Sequence, residues 1–256
     1  MIDSPDRAWP FWKANLFALL ALLANLLVVN LITLVYVAWH IISAYLKDPT
    51  DLGRILANSR TFVQATATNP DWIALTVIAG ATVSIMFIFF LCRSRGSAQL
   101  FDYLGLRTPH LRHLLWSIPA YILLMAGLEA LGRFFDRPPT PEFMQLLICN
   151  PGQPILLFVA VSIAAPVFEE LLFRGLWYRI LLDSRLGLVG AMLLPNLLWA
   201  GIHLQYDWFD ISMIFLIGFF LTWVRYKSKS LPLVIFLHFF QNTVSFFAAF
   251  YLVECT

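Results

Sequence analysis

The chain has 256 residues, of which 60% are apolar and only 12% charged, with a formal net charge of +2. A soluble domain of this size carries about twice that charged fraction, and here the apolar residues fall in uncharged runs of the length that crosses a hydrocarbon core as a helix. These features exclude a soluble globular protein, and the lack of a basic patch with interleaved aromatics argues against a nucleic-acid partner.

Seven spans are predicted. The first, Ala14–Trp39, belongs to an apolar run too long for the core of a cleavable signal peptide, so it reads as a retained helix. Segment 47–69 mixes polar residues with Leu52, Ile55, Leu56, Phe62 and Val63, and an eighth, re-entrant or interfacial helix is left open there. The spans Trp72–Cys92, Leu114–Leu131, Pro154–Leu182, Gly187–His203, Trp208–Val224 and Leu231–Val253 follow. The expected fold class is therefore all-α, a polytopic transmembrane bundle forming one membrane domain over residues 1–256. Cys92, Cys149 and Cys255 lie far apart and lack metal-ligand spacing, so neither a disulfide framework nor a zinc site is expected.

Lys and Arg residues set the orientation. With the N-terminus in the cytoplasm, only Lys47, Arg54, Arg60, Arg133 and Arg137 of the seventeen fall outside. The loop after His203 holds Asp207 and Asp210 and no cation, as an outer loop should. The C-terminus is then also outside.

Polar residues interrupt the apolar pattern at three places, at a cost of roughly 2.5–3.5 kcal/mol for each charge at a helix centre. The first is Glu169-Glu170-Leu171-Leu172-Phe173-Arg174 in the fourth span. Adjacent helical residues point about 100° apart, so the two carboxylates serve different purposes. Glu170 and Arg174, four apart, share a face and can pair. Glu169 is then aimed elsewhere, as a general base in a partly dry site would be. Pro166 removes a backbone donor just before the acids. The second place is Trp199 to His203, again four apart; a plain interfacial histidine is the competing reading. The third is His238 and Asn242, which share one face of the last span and could equally hold the bundle together by interhelical hydrogen bonds. Ion pairing alone likewise remains open for Glu170 and Arg174. His40, His110 and His113 are expected to be solvated or interfacial. An ordinary ion pair accounts for Glu129 and Arg133, and Asn15, Asn25 and Asn30 are expected at most to bond across helices.

Glu-Glu-x-x-x-Arg, aromatic-x-x-x-His and His-x-x-x-Asn, in this order on three separate spans, resemble the signature of the type II CAAX prenyl protease, or CPBP, family. That family also covers bacteriocin-processing and immunity-type membrane proteins. Each motif alone is weak, but the ordered set is specific. The resemblance runs from Pro154 to the C-terminus, with a fainter echo in Leu104-Gly105-Leu106-Arg107. One departure is Trp199, where the family usually has Phe. The resemblance implies glutamic-type intramembrane proteolysis without a cofactor, on the helices of residues 154–253. Glu169 and His203 would activate a water, His238 and Asn242 would stabilise the oxyanion, and Glu170 and Arg174 would support the site. The implied partners are the lipid bilayer and a membrane-anchored protein or peptide, cut near its C-terminus, in a bacterial inner membrane. Two alternatives stay open: a zinc protease using Glu169, His203 and His238 as ligands, and a non-catalytic scaffold or self-immunity protein.

Overall fold

The structure, a computed structural model, describes residues 11–49, 52–93, 97–150 and 152–255. All regular structure among them is helical. The helices are α1 (Phe11–Lys47), α2 (Leu52–Ala67), α3 (Pro70–Arg93), α4 (Ser97–Leu104), α5 (Leu111–Phe134), α6 (Glu142–Cys149), α7 (Pro154–Leu182), α8 (Gly187–Gly201), α9 (Trp208–Ser228) and α10 (Leu231–Leu252). Six of them, α1, α3, α5, α7, α9 and α10, are long and apolar enough to cross a membrane. The fifth predicted span is α8, an apolar helix of only 15 residues. Large apolar side chains point outward: Leu27, Phe90 and Leu123 are 68%, 72% and 73% exposed. In water such a surface would aggregate, whereas in lipid it is the expected outer face. The chain is a multi-pass integral membrane protein.

Small residues bring the helices together, as expected where lipid supplies no hydrophobic drive between spans. The buried residues of α1 are Ala14, Ala18 and Ala21, on one face, and α1 runs along α3. Asn15 accepts from Trp177 Nε1 at 2.9 Å, a bond across helices, while Asn30 donates within its own helix to Leu26 O. The segment left open at 47–69 does hold a helix. At 16 residues α2 falls short of a span, and it lies against α1, where His40 stacks on Phe62 at 3.6 Å.

Two further expectations need correction. Of the solvated or interfacial settings expected for His113, the solvated one is corrected: the residue is 8% exposed. Its helix begins at Leu111, earlier than predicted, which puts His113 on the first turn, where its Nδ1 accepts from Trp116 Nε1 at 3.2 Å. Cys149 and Cys255 form a disulfide, 106 residues apart. Folding brings the end of α6 beside the tail of α10, a proximity that no local spacing could disclose. Cys92 is buried, as its apolar setting suggests, and Glu129 pairs with Arg133 at 2.9 Å as expected.

The bundle has two unlike ends. At the disulfide end, α6 and the α8–α9 turn are joined to the end of α5: Arg137 pairs with Asp207, the N-cap of α9. At the opposite end, the α4–α5 turn is tucked into the bundle. Arg225, 5% exposed, donates from Nε to Arg174 O at 3.1 Å and from Nη2 to Leu104 O at 3.2 Å. Leu231 N donates to Gly105 O at 2.7 Å, and Ser230 Oγ to Arg107 O at 2.6 Å. Gly105 has φ +73°, and a Cβ there would overlap the Arg225 guanidinium, so only glycine fits. The Leu104–Arg107 stretch is thus a plug.

Candidate active site

α7 is not a uniform helix. Two π-helical segments, Val159–Ala164 and Leu171–Trp177, flank the α-helical turn Ala165–Glu170 that carries the acids. Such widenings collect at functional sites. Ala165 N–H reaches Ala160 O, five residues back. In that register the next donor would be Pro166, facing Val161 O, and proline has none. Asn242 fills the gap: its Nδ2 donates to Val161 O at 2.8 Å. The proline, the widened turn and the asparagine of the third motif therefore form one unit.

The two glutamates part as their helical positions predict. Glu170 and Arg174 are both 0% exposed and pair at 3.0 Å. Glu170 Oε1 also meets His238 Nδ1 at 2.9 Å. Arg174 Nη2 donates to Asn196 Oδ1 at 3.3 Å and to Gly218 O at 3.2 Å, and its Nε to Thr222 Oγ1 at 3.4 Å. Its guanidinium lies 4.2 Å from the centre of the Trp199 ring, a cation–π contact. A Cβ on Gly218 would overlap Asn196 Oδ1 and stand 2.6 Å from Arg174 Nη2, so the glycine makes room for this lock. The surrounding polar groups offset the burial of the ion pair, which Coulomb attraction alone need not do.

Glu169 faces another way. It lines a cavity of about 400 Å³ together with Trp199, His203, His238 and Asn242. Its side chain is 16% exposed. One oxygen, Oε2, accepts from Trp199 Nε1 at 2.6 Å and lies 4.0 Å from His238 Nε2. The tryptophan that departs from the family pattern thus holds the acid with a donor that phenylalanine lacks. It also stands edge-on to both histidines, with ring centres 5.2 Å from His203 and 5.4 Å from His238.

The histidine contacts constrain their tautomers. His203 lies just beyond the end of α8, and its Nδ1 is 2.6 Å from Trp199 O. A carbonyl only accepts, so Nδ1 carries a proton and a neutral ring keeps its lone pair on Nε2. For His238, donation from Nδ1 to the Glu170 carboxylate leaves Nε2 as the second site, which donates only in the imidazolium form.

All six residues singled out in the sequence lie in this one region: four on the cavity, Glu170 and Arg174 in the lock behind it. The sequence reading missed others. Tyr121 of α5 donates to Gln241 Oε1 at 2.6 Å, and Gln241 lines the cavity. Asn196 links α8 to Arg174 and donates to Phe215 O at 2.8 Å. Tyr206, at the mouth, stacks on His203; burial, with the carboxylates of Asp210 and Glu169 nearby, pushes its phenol up to about 12. A neutral hydroxyl therefore stands at the entrance. The nearness of Gln241 to Asn242, of Asn196 to Trp199 and of Tyr206 to His203 was the local sign of these.

Residues 151–244 match the family model described as Rce1-like, type II CAAX prenyl endopeptidase. A relative in Escherichia coli, described as an uncharacterized 24.3 kDa protein, is 30% identical over 134 residues, which is 50% of this chain. The chain spans 61% of that relative's length. No solved structure matches. The matched segment begins just before α7 and contains all three motifs, with the acid, the lock and the donors on α10. Over that segment the chain is similar to the Rce1-like, type II CAAX prenyl endopeptidase family.

Proposed function

We propose that this protein is an intramembrane endopeptidase that hydrolyses a peptide bond of a membrane-associated polypeptide by direct attack of water. One observation carries the reading. Of two adjacent carboxylates, Glu170 is fully buried and paired with Arg174 and His238, whereas the partly exposed Glu169 stands on the wall of a cavity that it shares with two histidines and an asparagine.

In this reading Glu169 takes a proton from the water, and His203 orients that water through the lone pair on Nε2. The water oxygen adds to the carbonyl carbon. The resulting oxyanion accepts from Nε2 of the His238 imidazolium and from the second N–H of the Asn242 amide. The carbon–nitrogen bond then breaks, and the proton held by Glu169 passes to the leaving amine. Glu170 and Arg174 keep His238 and Trp199 in place. Hydrolysis near the C-terminus of the substrate, and a bacterial inner membrane as the location, extend the family reading in the same way.

A zinc route through Glu169, His203 and His238 is the nearest alternative. Among the described residues no three His, Cys, Asp or Glu side chains converge as a metal site, and the two readings separate experimentally. The test compares wild type with Glu169→Gln in the native host by mass spectrometry of the ends of membrane-associated polypeptides. A defined set of ends is expected with wild type alone, and it should persist in chelator-treated membranes. Matching profiles from two folded, expressed proteins would sink the protease reading and favour the scaffold or immunity alternative. Loss of the ends on chelation, restored by zinc, would favour the metal route.

A further inference from the structure

We infer that the cavity opens on the oxidising, non-cytoplasmic face of the membrane, and that its substrate is a peptide bond displayed on that side of a membrane-anchored polypeptide. The substrate half rests on the protease reading; the sidedness does not.

The disulfide is the first argument. Cys149 closes α6, after the third span, and Cys255 follows the last. Their bond fixes both to one face of the membrane. Disulfides form and persist in oxidising compartments and are rare in the cytosol. The charge pattern is the second, independent argument. At the other end the turns and the last turn of α9 carry Arg107, Arg185, Lys227 and Lys229, whereas at the disulfide end the α8–α9 turn and the first turn of α9 carry Asp207 and Asp210 and no cation. Cationic loops stay in the cytoplasm, so charge and disulfide assign the same face to the outside.

The cavity lies toward that face. Phe143 and Met144 of α6, and Gln205 and Tyr206 of the α8–α9 turn, form its walls. A second pocket at the rim is lined by Arg137, Glu142, Tyr206, Asp207 and Asp210, giving a polar entrance at the disulfide end. None of the lining residues comes from the α4–α5, α7–α8 or α9–α10 turns. At that opposite end the Leu104–Arg107 plug, bonded to Arg225, Ser230 and Leu231, separates the glutamates from the cationic face. A polypeptide approaching from the cytoplasm meets the plug, and one approaching from outside meets the cavity mouth.

The test uses the full-length protein in right-side-out and inside-out vesicles, with a membrane-impermeant maleimide. Gln205→Cys reports the mouth and Arg185→Cys the plugged end. Gln205→Cys should label in right-side-out vesicles and Arg185→Cys in inside-out vesicles; the reverse pattern would overturn the sidedness. Wild-type protein, alkylated at harvest, should migrate differently with and without reductant. Cys149 and Cys255 recovered as thiols would also overturn it. For the substrate, new polypeptide ends that depend on Glu169 should map to non-cytoplasmic segments. Ends on cytoplasmic segments would defeat the substrate half while leaving a protease. If no Glu169-dependent ends appear, the protease reading and the substrate half fall together, and labelling still decides the face.

Discussion

Glu169 and Glu170 are neighbours in sequence, yet they occupy opposite kinds of polar environment. Around Glu170, the guanidinium of Arg174 meets a carboxylate, an amide oxygen, a backbone carbonyl, a hydroxyl and an aromatic face, all with no exposure of the pair. Around Glu169, a single indole N–H anchors one oxygen on a cavity wall. A rotation of about 100° between adjacent helical positions produces the whole difference. Polarity within the membrane is therefore not the mark of chemistry here. A closed, fully buried cluster holds helices together, whereas a carboxylate on a cavity wall can meet a reactant.

The contrast is broken most severely from the saturated side. Arg174→Met strands the Glu170 charge and should cost ~3–5 kcal/mol, read as a large fall in the thermal unfolding midpoint in detergent. Glu169→Gln, by comparison, should unfold close to wild type while activity drops on the order of 10²–10⁴-fold. If both variants lose stability equally, the two carboxylates are not distinct. Trp199→Phe tests the anchor. It removes a hydrogen bond to a charged group worth ~1.5–3 kcal/mol, so kcat should fall with little change in KM. A compensating rise in KM alone would make Trp199 a substrate contact instead.

Smaller effects sharpen the picture. Asn242→Ala orphans Val161 O and should cost ~1–3 kcal/mol. Pro166→Ala in that background restores an N–H in the register facing Val161 O, and should recover much of the stability though not the activity. No recovery would mean that the widened turn is set by something other than the proline. At the rim, Asp207 caps α9 by accepting from Phe209 N and Asp210 N. The backbone N–H of Asp210, together with Arg137, holds its carboxyl below the ordinary value. Its contribution is therefore complete above the unfolded pKa of ~3.9 and is lost as pH falls through the lower folded value. Asp207→Ala should cost ~1 kcal/mol at neutral pH and less below that folded value, as followed by unfolding across pH.

The spans were legible because a run of about 20 apolar residues has one cheap fate in a membrane. The Glu170–Arg174 pair and the shared face of Trp199 and His203 were legible because helical spacing is local. The partners that complete the site were not. Tyr121 and Gln241 stand 120 residues apart, and Cys149 and Cys255 stand 106 apart; such contacts leave no periodic trace in the chain. Asn242 looked like a donor for the cavity, but the acceptor it serves in the structure, Val161 O, arises only once Pro166 sits in a five-residue register. That His113 is buried rather than solvated follows from a helix that starts three residues before the apolar run predicts.

The length of α8 has a consequence for the lipid around it. At 15 residues it spans ~22 Å, several ångströms short of a hydrocarbon core of about 30 Å. It is not hidden behind its neighbours: Val189 and Leu197 are 68% and 54% exposed. A bilayer that met both ends of this helix would thin along this flank, a hydrophobic mismatch that costs a fraction of a kcal/mol per ångström. His203 lies just past the end of that short helix, so such a dent would bring water and headgroups toward the cavity. A substrate anchored in the membrane reaches the protein most easily where the lipid is already deformed.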